Sequence, residues 1–248
     1  MFYVNAFGRL KNAPAHGMIL AENRKGKTYD MIETERLILR PWREEDAENL
    51  YKYASDPAVG PPAGWPPHTS VDNSRALIRD VLSAPETYAV CLKNGEAIGS
   101  IGLKLKGSTD MTDRDDECEL GYWIGKPYWG QGLIPEASRA LLAYAFEKLG
   151  MNAVWCGYYE GNEKSKKVQK KLGFQYQYTT EGLEVTLVNE IRTGHTNLMT
   201  KERWHKIQLF RNQKKTLDTF LQNGAITQAQ YDKSFGDLVK LMDMQGVV

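Results

Sequence analysis

Residues 119–150 constrain the fold more than any other part of this 248-residue chain, since they predict a strand, a glycine turn and a helix in succession. The strand prediction rests on an apolar and aromatic run: Leu120, Tyr122, Trp123 and Ile124. In the turn, Gly130 and Gly132 flank Gln131, and glycine adopts a positive φ without steric cost. Pro135 suits a first helical turn, and apolar residues then recur at helical spacing until Gly150 ends the helix.

A glycine turn that leads into a helix is predicted to bind a pyrophosphate group. Unpaired main-chain N–H groups and the positive end of the helix dipole both attract anions at such a place. The turn is not a Walker A loop, because no Gly-Lys-Ser/Thr sequence follows it, and it lacks the third glycine of a dinucleotide-binding fingerprint. The molecule that carries the pyrophosphate therefore has to be identified from other parts of the sequence.

Four separated segments resemble the GNAT superfamily of N-acetyltransferases, and within it the branch that acetylates the N-termini of ribosomal proteins. They are Glu-Thr-Glu-Arg-Leu at 33–37, Glu-Leu-Gly-Tyr-Trp at 119–123, Trp-Gly-Gln-Gly at 129–132 and an Asn…Ser…Leu-Gly-Phe segment at 162–174. The resemblance covers residues 31–204. It implies an enzyme that transfers an acetyl group directly from acetyl-CoA, its co-substrate, to a primary amine, with a peptide or protein α-amino group as the expected acceptor.

The resemblance also implies an α/β GNAT fold: a mixed, mostly antiparallel sheet of six to seven strands, with splayed central strands and covering helices. Hydrophobic patterning predicts strands at 36–41, 87–92, 97–105, 119–124, 153–159, 183–192 and 194–200. Residues 1–30 are predicted to be a poorly ordered leader. Residues 205–248 lie outside the resemblance and are predicted to form a helical hairpin, with Thr227 and Gln230 as a capping box. Its apolar stripes predict packing within the chain or in a homodimer.

The resemblance assigns coenzyme binding to the end of the key strand, the glycine turn and the start of two helices. The expected binding residues are Trp123, Ile124, Trp129, Gly130, Gln131, Gly132, Leu133, Ile134, Asn162 and Ser165. Ile134 departs from the superfamily, which carries a small residue there, and so bears on how closely a diphosphate approaches. Asn162 is expected both to cap its helix and to contact the pantetheine amides.

Acetyl transfer needs a base for the amine, a donor for the carbonyl oxygen and a group that tolerates the leaving thiolate. The resemblance implies Glu119 as the base and a main-chain N–H near Trp123 or Ile124 as the oxygen's donor. Glu117, two residues earlier on the same face of the strand, is a weaker alternative base. Many members carry an acidic tyrosine where this chain has Gln169, which cannot serve as an acid. Ser165 is therefore expected to position or relay a hydrogen bond to sulfur.

The acceptor remains open at the level of the sequence. An α-amine, with a pKa of about 8 against about 10.4 for lysine, needs less help from a base at neutral pH. A small amine is the alternative substrate, and an acyl-CoA-binding protein without turnover is the alternative function.

Trp65 and His68, in the proline-rich loop 57–69, are either substrate contacts or anchors of a rigid surface loop.

Composition excludes several other classes of protein. The net charge of +1 gives no reason to expect a nucleic-acid partner, and no apolar run reaches the roughly 18 residues of a membrane span. Three cysteines without CxxC spacing, and the lack of a secretory pattern, predict reduced thiols in a cytoplasmic protein. The four histidines lack the spacing of metal ligands, so no metal site is predicted.

Overall fold

The computed structural model describes residues 19–22 and 28–244, and the strands of that part form one sheet in the order β1-β2-β3-β4-β5-β6-β7-β9-β8. The strands are β1 Ile19–Glu22, β2 Thr28–Glu33, β3 Leu37–Arg40, β4 Thr87–Leu92, β5 Ala97–Lys104, β6 Glu117–Ile124, β7 Ala153–Tyr159, β8 Gln175–Val185 and β9 Glu190–Thr200. Neighbours from β1 to β6 pair antiparallel, as do β8 and β9, whereas β6 and β7 are parallel. The predicted mixed, mostly antiparallel sheet is confirmed.

Six α-helices lie between or after these strands in the described part of the chain. They are α1 Ala47–Ala54, α2 Val71–Leu77, α3 Leu133–Glu147, α4 Glu163–Leu172, α5 Lys201–Gln222 and α6 Gln228–Met244. The helical backbone of α2 continues as a wider turn through Ile78–Leu82. The helix predicted to follow the glycine turn is α3, which ends at Glu147, three residues before Gly150.

The sheet differs from the prediction in strand number, with nine strands in the described residues against the six to seven expected. Most of the predicted leader, residues 1–30, lies outside the described residues. Within it Ile19–Glu22 forms β1, and Thr28–Glu33, which extends past its end, forms β2. The predicted break near residue 193 was also wrong, because the turn of the β8–β9 hairpin lies near Asn189. Most of β8 is exposed, and it lies at the edge of the sheet. An exposed edge strand does not need the alternating apolar face from which strands are predicted, so the start of β8 was missed.

The core lies on both faces of β5, in which the five residues from Ala97 to Ile101 are all buried. Helices α1 and α3 both contact this strand. Side chains alternate between the faces of a strand, so a run of consecutive buried residues requires cover on both sides. The sheet is thus held between helices, and the positions of β4 to β7 are set by buried apolar packing.

The chain divides into two compact units, with the boundary between Leu198 and Met199. The first unit contains nearly the whole sheet and helices α1 to α4. In the second, α5 and α6 pack on each other through Phe210, Tyr231 and Phe235. The predicted capping box is present, since the Thr227 main-chain N–H donates to Gln230 Oε1 at 2.8 Å. No helix in the described ranges combines the length and the apolar composition that a membrane crossing requires.

Candidate functional site

Strands β6 and β7 part from each other halfway along their length. Their parallel register joins only Glu117, Cys118 and Glu119 of β6 to Ala153, Val154 and Trp155 of β7. Beyond that point β6 continues to Ile124 and β7 continues to Tyr159, but their residues are no longer paired with each other. Because β6 remains paired with β5 up to Ile124, the gap lies on the β7 side of β6.

Main-chain groups of β6 point into this gap. The Gly125 N–H donates to the Ile98 carbonyl at 2.8 Å, which directs Gly125 toward β5. Main-chain groups alternate in direction along an extended strand, so those of Ile124 and Tyr122 point away from β5. The Ile124 carbonyl accordingly accepts a bond from Trp129 Nε1 at 2.9 Å, outside the β5 pairing. The gap therefore offers strand-like hydrogen-bonding groups to an extended ligand.

A cavity of about 860 Å³ occupies the gap and extends from it. Its lining includes four consecutive residues of β6, from Leu120 to Trp123, and four of β7, from Cys156 to Tyr159. Asn162 and Ser165 at the start of α4 also line it, as do the charged residues Asp80, Lys104, Lys106 and Asp115. The described residues hold no cluster of His, Cys, Asp and Glu side chains arranged to bind a metal.

The predicted anion seat is a left-handed turn followed by a helix N-terminus. Gly130 and Gly132 have φ of 77° and 76°, and α3 begins directly after Gly132. A side chain at either position would be strained by the backbone conformation alone. Ile134 is 5% exposed, so its side chain is directed into the protein and not across the exposed turn. The departure at Ile134 therefore leaves the turn open.

An ion pair from the bend between β2 and β3 stabilises the start of α3 beside this turn. Arg36 Nε lies 2.7 Å from Glu136 Oε2 in α3, and Arg36 Nη1 donates to the Gln131 carbonyl at 3.0 Å. The Thr34 hydroxyl also donates to Glu136, and the pKa of that carboxyl is lowered by these bonds against the opposing effect of burial. Two segments of the sequence resemblance, 33–37 and 129–132, are thus joined physically. The sequence motifs identify both segments, but they do not show that the two segments contact each other.

Trp129 and Asn162 have structural partners besides any ligand. The Trp129 ring lies 4.2 Å from Lys164 Nζ, and its indole N–H holds the Ile124 carbonyl. Asn162 caps α4 by accepting from the Ser165 N–H at 3.2 Å, as predicted, and its amide donates to the Pro62 carbonyl at 3.1 Å. Asn162 therefore ties the proline-rich loop to the start of α4.

Glu119 lies at the last paired position before β6 and β7 separate. It is 1% exposed, accepts from Lys104 Nζ at 3.0 Å and from the Thr109 hydroxyl at 2.6 Å, and is not among the residues lining the cavity. The Lys104 ammonium balances the charge of this buried carboxylate. Glu117, the alternative candidate, accepts from Thr112 and from Trp155 Nε1.

Ser165 belongs to a partly buried polar network that the sequence motifs do not reveal. Its hydroxyl lies 3.1 Å from the Tyr122 hydroxyl and accepts from Gln169 Nε2 at 3.1 Å. Gln169 is 1% exposed, and its amide oxygen accepts from Asn197 Nδ2 at 2.7 Å. In the sequence Tyr122 is part of the apolar run that predicts a strand, and only the spatial proximity of β6 and α4 reveals its hydroxyl as part of the site.

The two candidates in the proline-rich loop have different positions. Trp65 lines the cavity and packs edge-on against Trp123, with ring centroids 5.6 Å apart. His68 is buried behind it, with Nδ1 2.8 Å from the Ser74 hydroxyl, and does not line the cavity. Burial lowers the pKa of His68 to about 4, so the imidazole is neutral near pH 7.

A family model described as an acetyltransferase (GNAT) domain matches residues 36–175, which is more than half of the chain. The uncharacterized N-acetyltransferase p20 of Bacillus licheniformis is 31% identical over 152 residues, which cover 59% of this chain and 83% of that protein. A Bacillus subtilis protein provisionally named as the ribosomal N-acetyltransferase YdaF is 41% identical over 83 residues, covering 34% of this chain and 43% of that protein.

Solved structures show the same fold. A GNAT-family acetyltransferase from Bacillus anthracis aligns with a TM-score of 0.61 at 21% identity, covering 69% of this chain and 99% of that one. RimL, a ribosomal L7/L12 α-N-protein acetyltransferase solved in complex with coenzyme A, aligns with a TM-score of 0.56 at 16% identity, covering 68% of this chain and 97% of that one.

Proposed function

The chain belongs to the GNAT family of acetyl-CoA-dependent acetyltransferases, and from this premise we propose that its acceptor is the α-amino group of a peptide or protein N-terminus. The observation that carries the proposal is the gap between β6 and β7, with the cavity that continues from it. Such a gap accepts an extended thioester arm on one side and leaves room for an amine-bearing chain on the other. Acetyl-CoA supplies the activated acyl group when bound.

The proposed coenzyme seat combines the turn 129–132 with the start of α3. Exposed Gly130 and Gln131, the positive φ of both glycines and the helix N-terminus fit a diphosphate, which binds to main-chain N–H groups. Leu133 and Ile134 contribute their main-chain N–H groups in this proposal, while their side chains are buried. Trp123, Trp129, Asn162 and Ser165 complete the proposed binding surface.

The direction of the β6 main chain refines the proposed donor for the carbonyl oxygen. The sequence pointed to an N–H near Trp123 or Ile124. The Gly125–Ile98 hydrogen bond and strand alternation favour Ile124, whose N–H points away from β5, over Trp123, whose N–H points toward it. We assign the stabilisation of negative charge on that oxygen to the Ile124 N–H.

Glu119 remains the proposed base. It lies at the apex of the gap, where β6 and β7 separate, so it is the carboxylate closest along β6 to the position of the reacting groups. Its present bonds to Lys104 and Thr109 mean that a proton must reach it through one of these side chains or through water. The Glu119→Gln variant tests this role: an unchanged rate at every pH would remove Glu119 from the mechanism.

The size and polarity of the cavity support a peptide acceptor over a small amine. The lining continues past the gap to Asp80, Pro85 and Lys106, so polar and apolar groups are available to several residues of an extended chain. An α-amine is also partly unprotonated near neutral pH, which reduces the demand on a base. The partial similarity to the relative named as a ribosomal N-acetyltransferase is consistent with this substrate class.

The test compares peptides that differ only at the N-terminus. One set has a free α-amine, and the matched set has the same sequences with a blocked N-terminus and an internal lysine. Release of the free thiol from acetyl-CoA is followed with each set and with a panel of small amines. We expect release with free N-termini and little with the blocked peptides.

Release only with the small amines would replace the peptide acceptor by a small-molecule acceptor. Binding of acetyl-CoA, measured by calorimetry, without thiol release in any set would favour a coenzyme-binding protein without turnover. The absence of any binding heat with a well-folded protein would refute the coenzyme seat itself.

A further inference from the structure

In the polar network at the gap, the donor and the acceptor of most hydrogen bonds can be assigned. Gln169 Nε2 lies 3.0 Å from the Gly157 carbonyl and 3.1 Å from Ser165 Oγ, so both of its hydrogens have acceptors. The Gln169 amide cannot be reversed without loss, because its oxygen accepts from Asn197 Nδ2. A primary amide nitrogen only donates. Ser165 Oγ therefore receives a hydrogen bond from the protein side of the network.

Ser165 is then free to donate its own hydroxyl proton to the Tyr122 oxygen, 3.1 Å away. In this arrangement the Tyr122 hydroxyl is the last donor of the chain. Its acceptors in the protein are weak: the Ser165 carbonyl at 3.4 Å, a long contact, and the sulfur of the Cys156 thiol. Tyr122, Ser165 and Gly157 all line the cavity, so the end of the chain lies at the gap.

We propose that the Tyr122 hydroxyl is the catalytic hydrogen-bond donor to the sulfur of the leaving thiolate, and that Ser165 and Gln169 position it. The proposal rests on the thioester arm occupying the gap, as in the proposed function. Many family members carry an acidic tyrosine at the position of Gln169 in α4. In this chain the Tyr122 hydroxyl from β6 would act on the sulfur instead.

The electronic balance of the reaction explains why such a donor acts on the rate. A bond forms between the amine nitrogen and the acyl carbon, and the carbon–sulfur bond breaks with its electron pair on sulfur. A thioester sulfur is a weak acceptor and a thiolate is a strong one, so the hydrogen bond strengthens as the bond breaks. The amine loses one proton, and solvent returns one proton to sulfur as the product leaves, so protons balance.

The environment of Tyr122 keeps the phenol protonated. Burial raises the pKa of Tyr122 well above its ordinary value, so the hydroxyl remains a donor across the working range of pH. The other titratable group against the phenol is the Cys156 thiol of β7, whose pKa is also raised by burial. Neither group carries a charge that would oppose a thiolate.

The test uses coenzyme A alone as the probe, so that it does not depend on the acceptor. The ionisation of the bound thiol is followed by the ultraviolet absorbance of the thiolate against pH, as a difference from the same protein without coenzyme. We expect Tyr122→Phe to raise the pKa of the bound thiol, to lower kcat by about 10²-fold and to change the Kd for acetyl-CoA little. Ser165→Ala should have a smaller effect on both, since the tyrosine donor remains.

Tyr88→Phe is the matched control, because it removes a buried phenol hydroxyl from β4 that is bonded to Glu86 and lies outside the cavity lining. It should change neither kcat nor the thiol titration. A large effect of Ser165→Ala with none for Tyr122→Phe would overturn the proposal in favour of serine as the donor. A bound thiol that titrates alike in wild type and Tyr122→Phe would also overturn it. Failure of coenzyme A to bind the wild type would instead refute the proposed seat, and this inference with it.

Discussion

At the scale of single residues, His68 shows how burial alone couples the fold to pH. The residue is 7% exposed, and burial lowers the pKa of its imidazole to about 4 from an ordinary 6.5. The unfolded chain then binds a proton more readily than the folded one between these values. Stability is therefore full above about pH 6.5 and falls as the pH decreases toward about 4, by up to about 3 kcal/mol.

The measurement is urea unfolding of wild type and His68→Asn at about pH 7 and at about pH 5, with the difference between the two proteins compared at each pH. Asparagine retains a short polar group near Ser74 but does not titrate. We expect the wild-type advantage at neutral pH to shrink or reverse in acid. A difference that stays constant between the two pH values would show that His68 does not titrate on unfolding.

Residue types in the sequence identify candidate site residues, but they do not identify the side chains that these residues contact. Trp65 and His68 were equivalent candidates in one loop, yet Trp65 lines the cavity while His68 is bonded to Ser74 behind it. Tyr122 had an apolar context that indicates core, and its hydroxyl contact with Ser165 joins residues 43 positions apart. Contacts over such separations are set by packing, which local patterns do not contain.

At the scale of elements, the turn between β6 and α3 was predictable because all its signals are local. Glycine at 130 and 132, a helix start and the apolar period of α3 lie within one continuous stretch. The separation of β6 from β7 is different, since it depends on two strands whose last paired residues, Glu119 and Trp155, are 36 positions apart in the sequence. The resemblance alone suggested it.

The local seat makes a prediction of its own. Gly130→Ala places a side chain at φ 77° in open space, so its cost is about 1 kcal/mol of backbone strain without a clash. Relief of that strain would move the turn away from its ligand-binding shape. We expect the Kd for acetyl-CoA, measured by calorimetry, to rise by about tenfold, which corresponds to about 1.4 kcal/mol.

Gly95→Ala is the matched control, because Gly95 also has a positive φ, of 92°, with open space around it, in the β4–β5 hairpin. It should lower the free energy of unfolding by a similar amount and leave the Kd unchanged. Equal Kd values for Gly130→Ala and wild type would show that the turn does not hold the diphosphate.

At the scale of the whole molecule, the chemistry and the C-terminal hairpin belong to different units. Every residue that lines the cavity lies between Pro62 and Ser165, whereas the second unit begins at Met199. The hairpin has its own internal contacts, among them Lys214 with Asp218 and Tyr231 with Asp218. Its described surface also exposes large apolar side chains: Leu209, Phe220, Leu241 and Met244.

Removal of residues 205–248 tests this separation. Since no cavity-lining residue is lost, we expect the shortened chain to bind acetyl-CoA with a Kd within about twofold of the full chain, by calorimetry on protein whose fold is checked by circular dichroism. Sedimentation of both proteins measures association, and loss of a dimer on truncation would assign the exposed apolar side chains to an interface between copies. Loss of the fold on truncation would instead show that the hairpin stabilises the sheet unit, because burial of apolar surface is the main stabilising contribution available to it.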